Sequence, residues 1–450
     1  MSRRNLFSFV SVLLLSYVCY VRAEQNPYAR YVAASYSVID RWSLVSPPDQ
    51  ELFDGAMNGM IGVLHKRGDE HSMFVDQRER DNFQEELIQE FGGIGVRIIQ
   101  LGDPPQLTVV GPPEPGSPAF SSDIRAGDRI VAIDGQQTAN MDMRDALRLV
   151  RGEIGTPVTL SVIHPGEEEA IDVTIVRAMI TVESVLGDLR DENNEWIFQL
   201  PNDERIGYVR IAKFGDKTLD EFTDVMAELN SAGIQALILD VRDNYGGTLD
   251  AAVGISDLFL RAGLPIVTTR DREEEIRERF VSTGRGGYSD LPLVVLINGN
   301  SASASEILAA CLQDYNRAVI IGQRTYGKGT VQRIVQVESG RSLIKLTFAT
   351  YWRPSGKNIH RSVEDTEADP WGVKPTKGFE VVLDDEQYLL WRKYRYRRDL
   401  FGEIADGPLS DQLDERDGKL PEQFNDEALD LAVGYLQSYL RERQIDLSNP

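Results

Sequence analysis

The sequence predicts a multidomain α/β protein: a small helical N-terminal region, a β-rich module, and a larger α/β core followed by a helical C-terminal extension. Three observations carry this. The chain has 450 residues, 42% hydrophobic and 26% charged, which at roughly 100–200 residues per domain suggests two to four globular domains. From Gly92, short β-like runs replace helical spacing. From about residue 180, apolar runs alternate with helical segments, as in βαβ units.

Met1-Ser-Arg3-Arg4 is basic, Asn5 to Val21 is uncharged, and Val21-Arg22-Ala23 is a small-residue pattern suited to cleavage. Residues 1–23 thus read as an export leader to the periplasm or cell envelope, with an uncleaved membrane anchor as the alternative. Cys19 would leave with the leader, so Cys311 stands alone and no intrachain disulfide is expected. Residues 24–89 carry helical spacing that ends in Phe83, Leu87 and Phe91 at i, i+4 and i+8. Residues 90–179 hold β-like runs at 94–99, 107–110, 129–133, 158–163 and 171–176, a turn at Asp134-Gly135, and a helix over 143–150. The core, 180–385, contains buried-strand runs at 236–241, 293–297 and 318–321. Thr218 and Glu221 have capping-box spacing, with Phe222, Val225, Met226 and Leu229 following on one helical face. The extension, 386–450, closes with a helix from Glu427 to Leu440, while residues 391–426 carry no functional pattern.

Lys plus Arg number 48 against 71 Asp plus Glu, a net charge of −23, the wrong sign for a nucleic-acid partner. His65, His71, His164 and His360 show no metal-ligand spacing, so neither a metal nor another cofactor is expected. No G-x-S-x-G elbow suggests a Ser-His-Asp triad.

Three strand ends do carry chemistry. After strand 293–297 an Asn-Gly turn leads into a helix whose start holds Ser301, Ser303 and Ser305. Each could cap the helix; equally, a hydroxyl there faces unpaired N–H groups that would stabilise a tetrahedral oxyanion. After strand 318–321, Lys328 lies between Gly327 and Gly329 with Gln332 four residues on. Burial lowers a lysine's pKa, and a neutral lysine can take a serine's proton without histidine. A phosphate loop would need Ser or Thr where Gly329 stands. After strand 236–241, Gly246 and Gly247 allow backbone N–H groups to approach a carbonyl closely.

Together these residues resemble the carboxyl-terminal processing, or tail-specific, peptidases, a serine peptidase family with a Ser/Lys dyad. The resemblance covers roughly residues 50 to 385. It rests on Asp69-Glu-His-Ser72, Phe91-Gly-Gly-Ile-Gly-Val96, Asp240-Val-Arg242 with Asn244-Tyr-Gly-Gly247, Ser301-Ala-Ser-Ala-Ser-Glu306, and Gly327-Lys-Gly-Thr-Val-Gln332. It implies a ClpP/crotonase-like α/β core with an inserted PDZ domain at 90–179. It further implies Ser303 as nucleophile, Lys328 as general base and Gln332 as the residue orienting the lysine. The Ala304 N–H, with that of Gly246 or Gly247, would form the oxyanion hole, Asp314 and Arg242 would support, and Ser301 and Ser305 would keep the capping role. The loop Gly93-Ile94-Gly95-Val96 would receive apolar C-terminal tails of protein substrates. Three departures stand out: Glu70 in place of a proline, Asn298-Gly-Asn300 in place of asparagine-acid-glycine, and Thr376 in place of an aspartate after Gly372-Val-Lys-Pro375. A catalytically silent PDZ adaptor, or an α/β carrier of small apolar ligands, would be expected to lack the dyad that is present here.

Overall fold

The structure, a computed structural model, describes residues 26–45, 47–102, 104–191, 195–399 and 424–448. The leader expected over 1–23 and residues 400–423 of the extension lie outside these. Two runs without polar alternation, Ala236–Asp240 and Leu293–Ile297, are strands buried at every position, as strands covered on both faces must be. They pair in parallel and are flanked in parallel by Asp203–Ile211 and Val319–Gly322. On one face, the helices Thr218–Ala232, Leu249–Leu258 and Ala304–Asp314 bury Phe222, Met226, Ile255 and Leu308 against Leu239 and Val295. On the other, the helix Glu427–Ser448 seats Ala428, Ala432, Leu436 and Leu440 at four-residue spacing against Tyr208, Ile238 and Val294. The strands Ala236–Asp240, Leu293–Ile297 and Val319–Gly322 therefore open their C-terminal ends at one edge, the place where open α/β sheets bind ligands.

The β-rich module is a sheet ordered Ile98–Leu101, Gln106–Val109, Arg129–Ile133, Pro157–Ile163, Ile171–Val176. The helix Met143–Val150 adds Ala146 and Val150 to a core with Leu107, Ile130 and Val158. Asp134 and Gly135, both at positive φ, make the expected hairpin turn. Ile98–Leu101 is the edge strand, bonded on one side to Gln106–Val109.

The chain divides into two units, one of Met1–Arg78 with Arg333–Leu346 and one of Glu79–Gln332 with Thr347–Pro450. In the first, the helix Asp49–His65 packs Met57 and Ile61 on Phe74, Val337 and Ile344, and Met73–Val75 pairs with Leu343–Lys345. Among the described residues, no helix is long and apolar enough to cross a membrane.

Three local readings are corrected. The helix carrying Phe83 and Leu87 is Arg80–Ile88. It ends at Gln89 in the left-handed region (φ 61), and Phe91 belongs to the strand Glu90–Gly93. Only Ile98 onward of the run 94–99 is a strand, because Ile94 and Gly95 give their carbonyls to Ala119 and Glu114 in a loop. The Thr218 capping box does not form. Thr218 is already helical, its hydroxyl takes the Gly215 N–H at 2.8 Å, and Glu221 instead accepts from Ser184 and Val185.

Candidate active site

Ser303 stands where the strand Leu293–Ile297 has turned into the helix Ala304–Asp314, 7% exposed, at φ 56 and ψ −111. A non-glycine residue rarely adopts such a backbone outside functional turns. Ser301 and Ser305 were expected to cap this helix. Instead Ser301 Oγ donates to Val241 O (2.7 Å) and Ser305 Oγ to Asn244 O (2.9 Å), fastening the serine loop to the neighbouring strand's turn.

The helix start is held by Glu306, fully buried. Its Oε2 accepts the N–H of Ser303 and the N–H of Lys328, each at 2.8 Å, so those two nitrogens lie within twice that distance of each other. Oε1 accepts Gly327 N (2.7 Å) and Thr325 Oγ1 (2.6 Å). Burial, against these four donors, pushes the carboxyl pKa up to about 7. The sequence motif contained Glu306, but only tertiary structure reveals its four donors, since three come from the 325–328 turn.

That turn is gripped from outside. A Cβ on Gly329 would lie 2.2 Å from His360 N, so only glycine fits. Arg361 N donates to Gly327 O (2.8 Å), and the Trp371 ring is stacked between Arg324 (3.3 Å) and Arg361 (4.3 Å). Lys328 itself is half-buried. Gln332 Nε2 donates to Thr330 Oγ1 (2.9 Å) and Thr347 Oγ1 (3.3 Å).

The glycine pair meets the serine directly. Gly246 has φ 100, and a Cβ there would lie 2.8 Å from Ser303 Cβ and from Ala302 O. Its N–H is already donated to Asn244 Oδ1 (2.8 Å), while Asn244 Nδ2 donates to Ile211 O (2.7 Å). Ala304 is the first residue of its helix, so its N–H has no acceptor within the helix. Gly247 follows, paired with Phe214 in an isolated bridge.

Arg242 lies beneath this turn, not on it. It is bound to Asp240 (2.6 Å) and Asp426 (2.8 Å), with the Trp391 ring 4.7 Å away. Burial opposes its charge, but the two carboxylates outweigh burial and raise its pKa. Asp314 holds Arg353 (2.7 Å) and the Ser355 N–H (2.9 Å) at the far end of the serine helix. Gly95 and Val96 of the β-rich module, with Arg97 and Glu114, line a cavity of about 430 Å³ together with Arg190 and Trp196 of the core; Gly93 ends a strand and Ile94 is buried. Among the described residues, no group of three or more His, Cys, Asp or Glu side chains could hold a metal ion.

Family models match both the core and the β-rich module. The model of peptidase family S41 matches residues 205–376, and a PDZ domain model matches residues 109–163. The chain is 32% identical over 392 residues to the carboxy-terminal-processing protease of Bartonella bacilliformis, covering 85% of each chain. It is 33% identical over 333 residues to the carboxy-terminal processing protease CtpA of Bacillus subtilis, covering 73% of this chain and 64% of that one. Among solved structures, a photosystem II D1 C-terminal processing protease is 27% identical with a TM-score of 0.43, covering 78% of this chain and 92% of that one.

Proposed function

We propose, starting from a chain that belongs to peptidase family S41 and is a serine-type peptidase of the carboxy-terminal processing kind, that Ser303 and Lys328 form its catalytic dyad. One observation carries this reading. A single oxygen of Glu306 accepts the backbone N–H of both residues, so the serine loop and the lysine turn are fixed against each other.

In the proposed reaction, neutral Lys328 Nζ takes the proton of Ser303 Oγ as Oγ attacks the scissile carbonyl. The tetrahedral oxyanion is held by the N–H of Ala304 and that of Gly247, the N–H of Gly246 being committed to Asn244. Lys328 then passes its proton to the leaving amine; a water deprotonated by Lys328 attacks the acyl carbon, and as the ester bond breaks Lys328 returns that proton to Ser303 Oγ. Gln332 steadies the lysine, Arg242 braces the glycine turn from beneath, and Asp314 anchors the far end of the serine helix. The core is read as ClpP/crotonase-like. Residues 1–23 serve for export to the cell envelope, which N-terminal sequencing of the mature protein checks.

Substrates enter by their C-termini. An extended apolar tail adds beside the edge strand Ile98–Leu101, and its carboxylate meets the loop Gly93–Val96. The test is cleavage of an unstructured protein with an apolar C-terminus, beside Ser303→Ala and Lys328→Ala, with product masses. Loss of cutting in both variants, with tail binding retained, supports the reading. A wild-type protein that binds tails and never cuts overturns it in favour of an adaptor.

A further inference from the structure

The helix Asp385–Asp399, at the start of the C-terminal extension, reaches the active-site edge. Its Tyr388 hydroxyl donates to the Asp243 carboxylate (3.0 Å to each oxygen) and accepts from Asn300 Nδ2 (2.7 Å). Asp243 also accepts from Asn300 Nδ2 (3.0 Å) and Asn298 Nδ2 (2.8 Å), with Arg392 Nε 3.6 Å away, and its own N–H donates to Asn298 Oδ1 (3.0 Å). Burial, then the Asp243 charge, pushes the tyrosine up to about 12, so it is a neutral donor under working conditions.

Asp243 and Asn300 belong to the two loops that matter. Asp243 is a non-glycine residue at φ 55 immediately before Asn244, whose side chain sets the Gly246 N–H; Asn300 lies three residues before Ser303. The Asn300 amide bonds both Asp243 and Tyr388. Trp391, stacked on Tyr388 at 6.0 Å, covers Arg242 and donates to Asp426 (3.2 Å) from the same helix.

We propose that Tyr388, Asp243 and Asn300 form a clasp by which the helix Asp385–Asp399 holds the glycine turn and the nucleophile's loop in register, making Tyr388 a positioning residue for peptide hydrolysis. The inference rests on the Ser303 dyad reading. Because the clasp fixes donors that act on the oxyanion and not on the resting substrate, it acts on kcat.

The experiment measures kcat, KM and affinity for a peptide boronic acid in the full chain, for Tyr388→Phe, Asn300→Gly and the double variant. Each single change is expected to lower kcat and boronate affinity together by roughly tenfold, with KM within about twofold and thermal midpoints near wild type. The double variant is expected to be no worse than the poorer single, because both remove one clasp. Unchanged kcat in both singles, effects that multiply in the double, or kcat falling only with the thermal midpoint would overturn the clasp. If Tyr388→Phe fails to fold, Asn300→Gly alone decides on the same readouts. Labelling by a fluorophosphonate separates the two levels: a wild type unlabelled at Ser303 sinks the dyad reading and the clasp with it. A wild type and Tyr388→Phe labelled equally fast sinks the clasp alone.

Discussion

Replacing Glu306 with glutamine separates two effects that compete at this carboxyl group. Burial lifts its pKa from 4.5 to about 7, while its four donors favour the anion. A carboxyl group whose pKa is higher folded than unfolded contributes fully below the unfolded value, near 4.5, and loses that contribution as pH rises through 7. The loss over that window is about 3 kcal/mol, at about 1.4 kcal/mol per pH unit. Glutamine does not titrate, and it offers one oxygen to four donors. That oxygen can serve Ser303 and Lys328, and the Thr325 hydroxyl can turn to accept, but the Gly327 N–H is left facing another N–H, a cost of about 1–3 kcal/mol. The variant should therefore be about 2 kcal/mol less stable than wild type at pH 5, with the gap closing by pH 8. Urea denaturation of the full chain across that range, followed by tryptophan emission, measures it; Trp371 packs on the same turn. A gap that widens with rising pH would refute the reasoning, because the donors would then outweigh burial and the native carboxylate would be charged throughout.

Gly246→Ala drives a Cβ into Ser303 Cβ and Ala302 O at positive φ, and kcat for peptide cleavage should fall roughly 100-fold or more while tail affinity measured by fluorescence polarisation holds. Asp426→Ala leaves the Arg242 guanidinium buried with one carboxylate; a loss of about 3–5 kcal/mol in denaturant titration is expected. About 0.5 M salt added to wild type should not reproduce that loss, since a buried pair is little screened. Trp371→Ala removes the ring between Arg324 and Arg361 and should cost about 3 kcal/mol, with Trp371→Phe retaining much of the stability by calorimetry.

The core strands were legible, and the proposed dyad could be read, because their signals are local. Strand 293–297 is a continuous apolar run and strand 236–240 is apolar up to Asp240, and Ser303 and Lys328 sit in short motifs at strand ends. Other assignments failed where a tertiary partner outbid a local one. Glu221 has capping-box spacing yet serves Ser184 and Val185, and Ser301 and Ser305 have N-cap spacing yet bond to the turn after strand 236–240. Phe91 keeps helical period but follows Gln89, whose left-handed backbone ends the helix. Tyr388 and Asp426 had no linear signal at all, since their partners Asp243 and Arg242 lie well over a hundred residues earlier in the chain.

The backbone of Ser303 has a consequence for how this chain tolerates change. At φ 56 and ψ −111 a side chain is a burden and glycine is not. Ser303→Gly would abolish the proposed chemistry while relaxing the loop, by about 1 kcal/mol. At this position thermodynamic fitness and the proposed enzymatic role point in opposite directions, so a screen that rewards only robustness would discard the proposed nucleophile first.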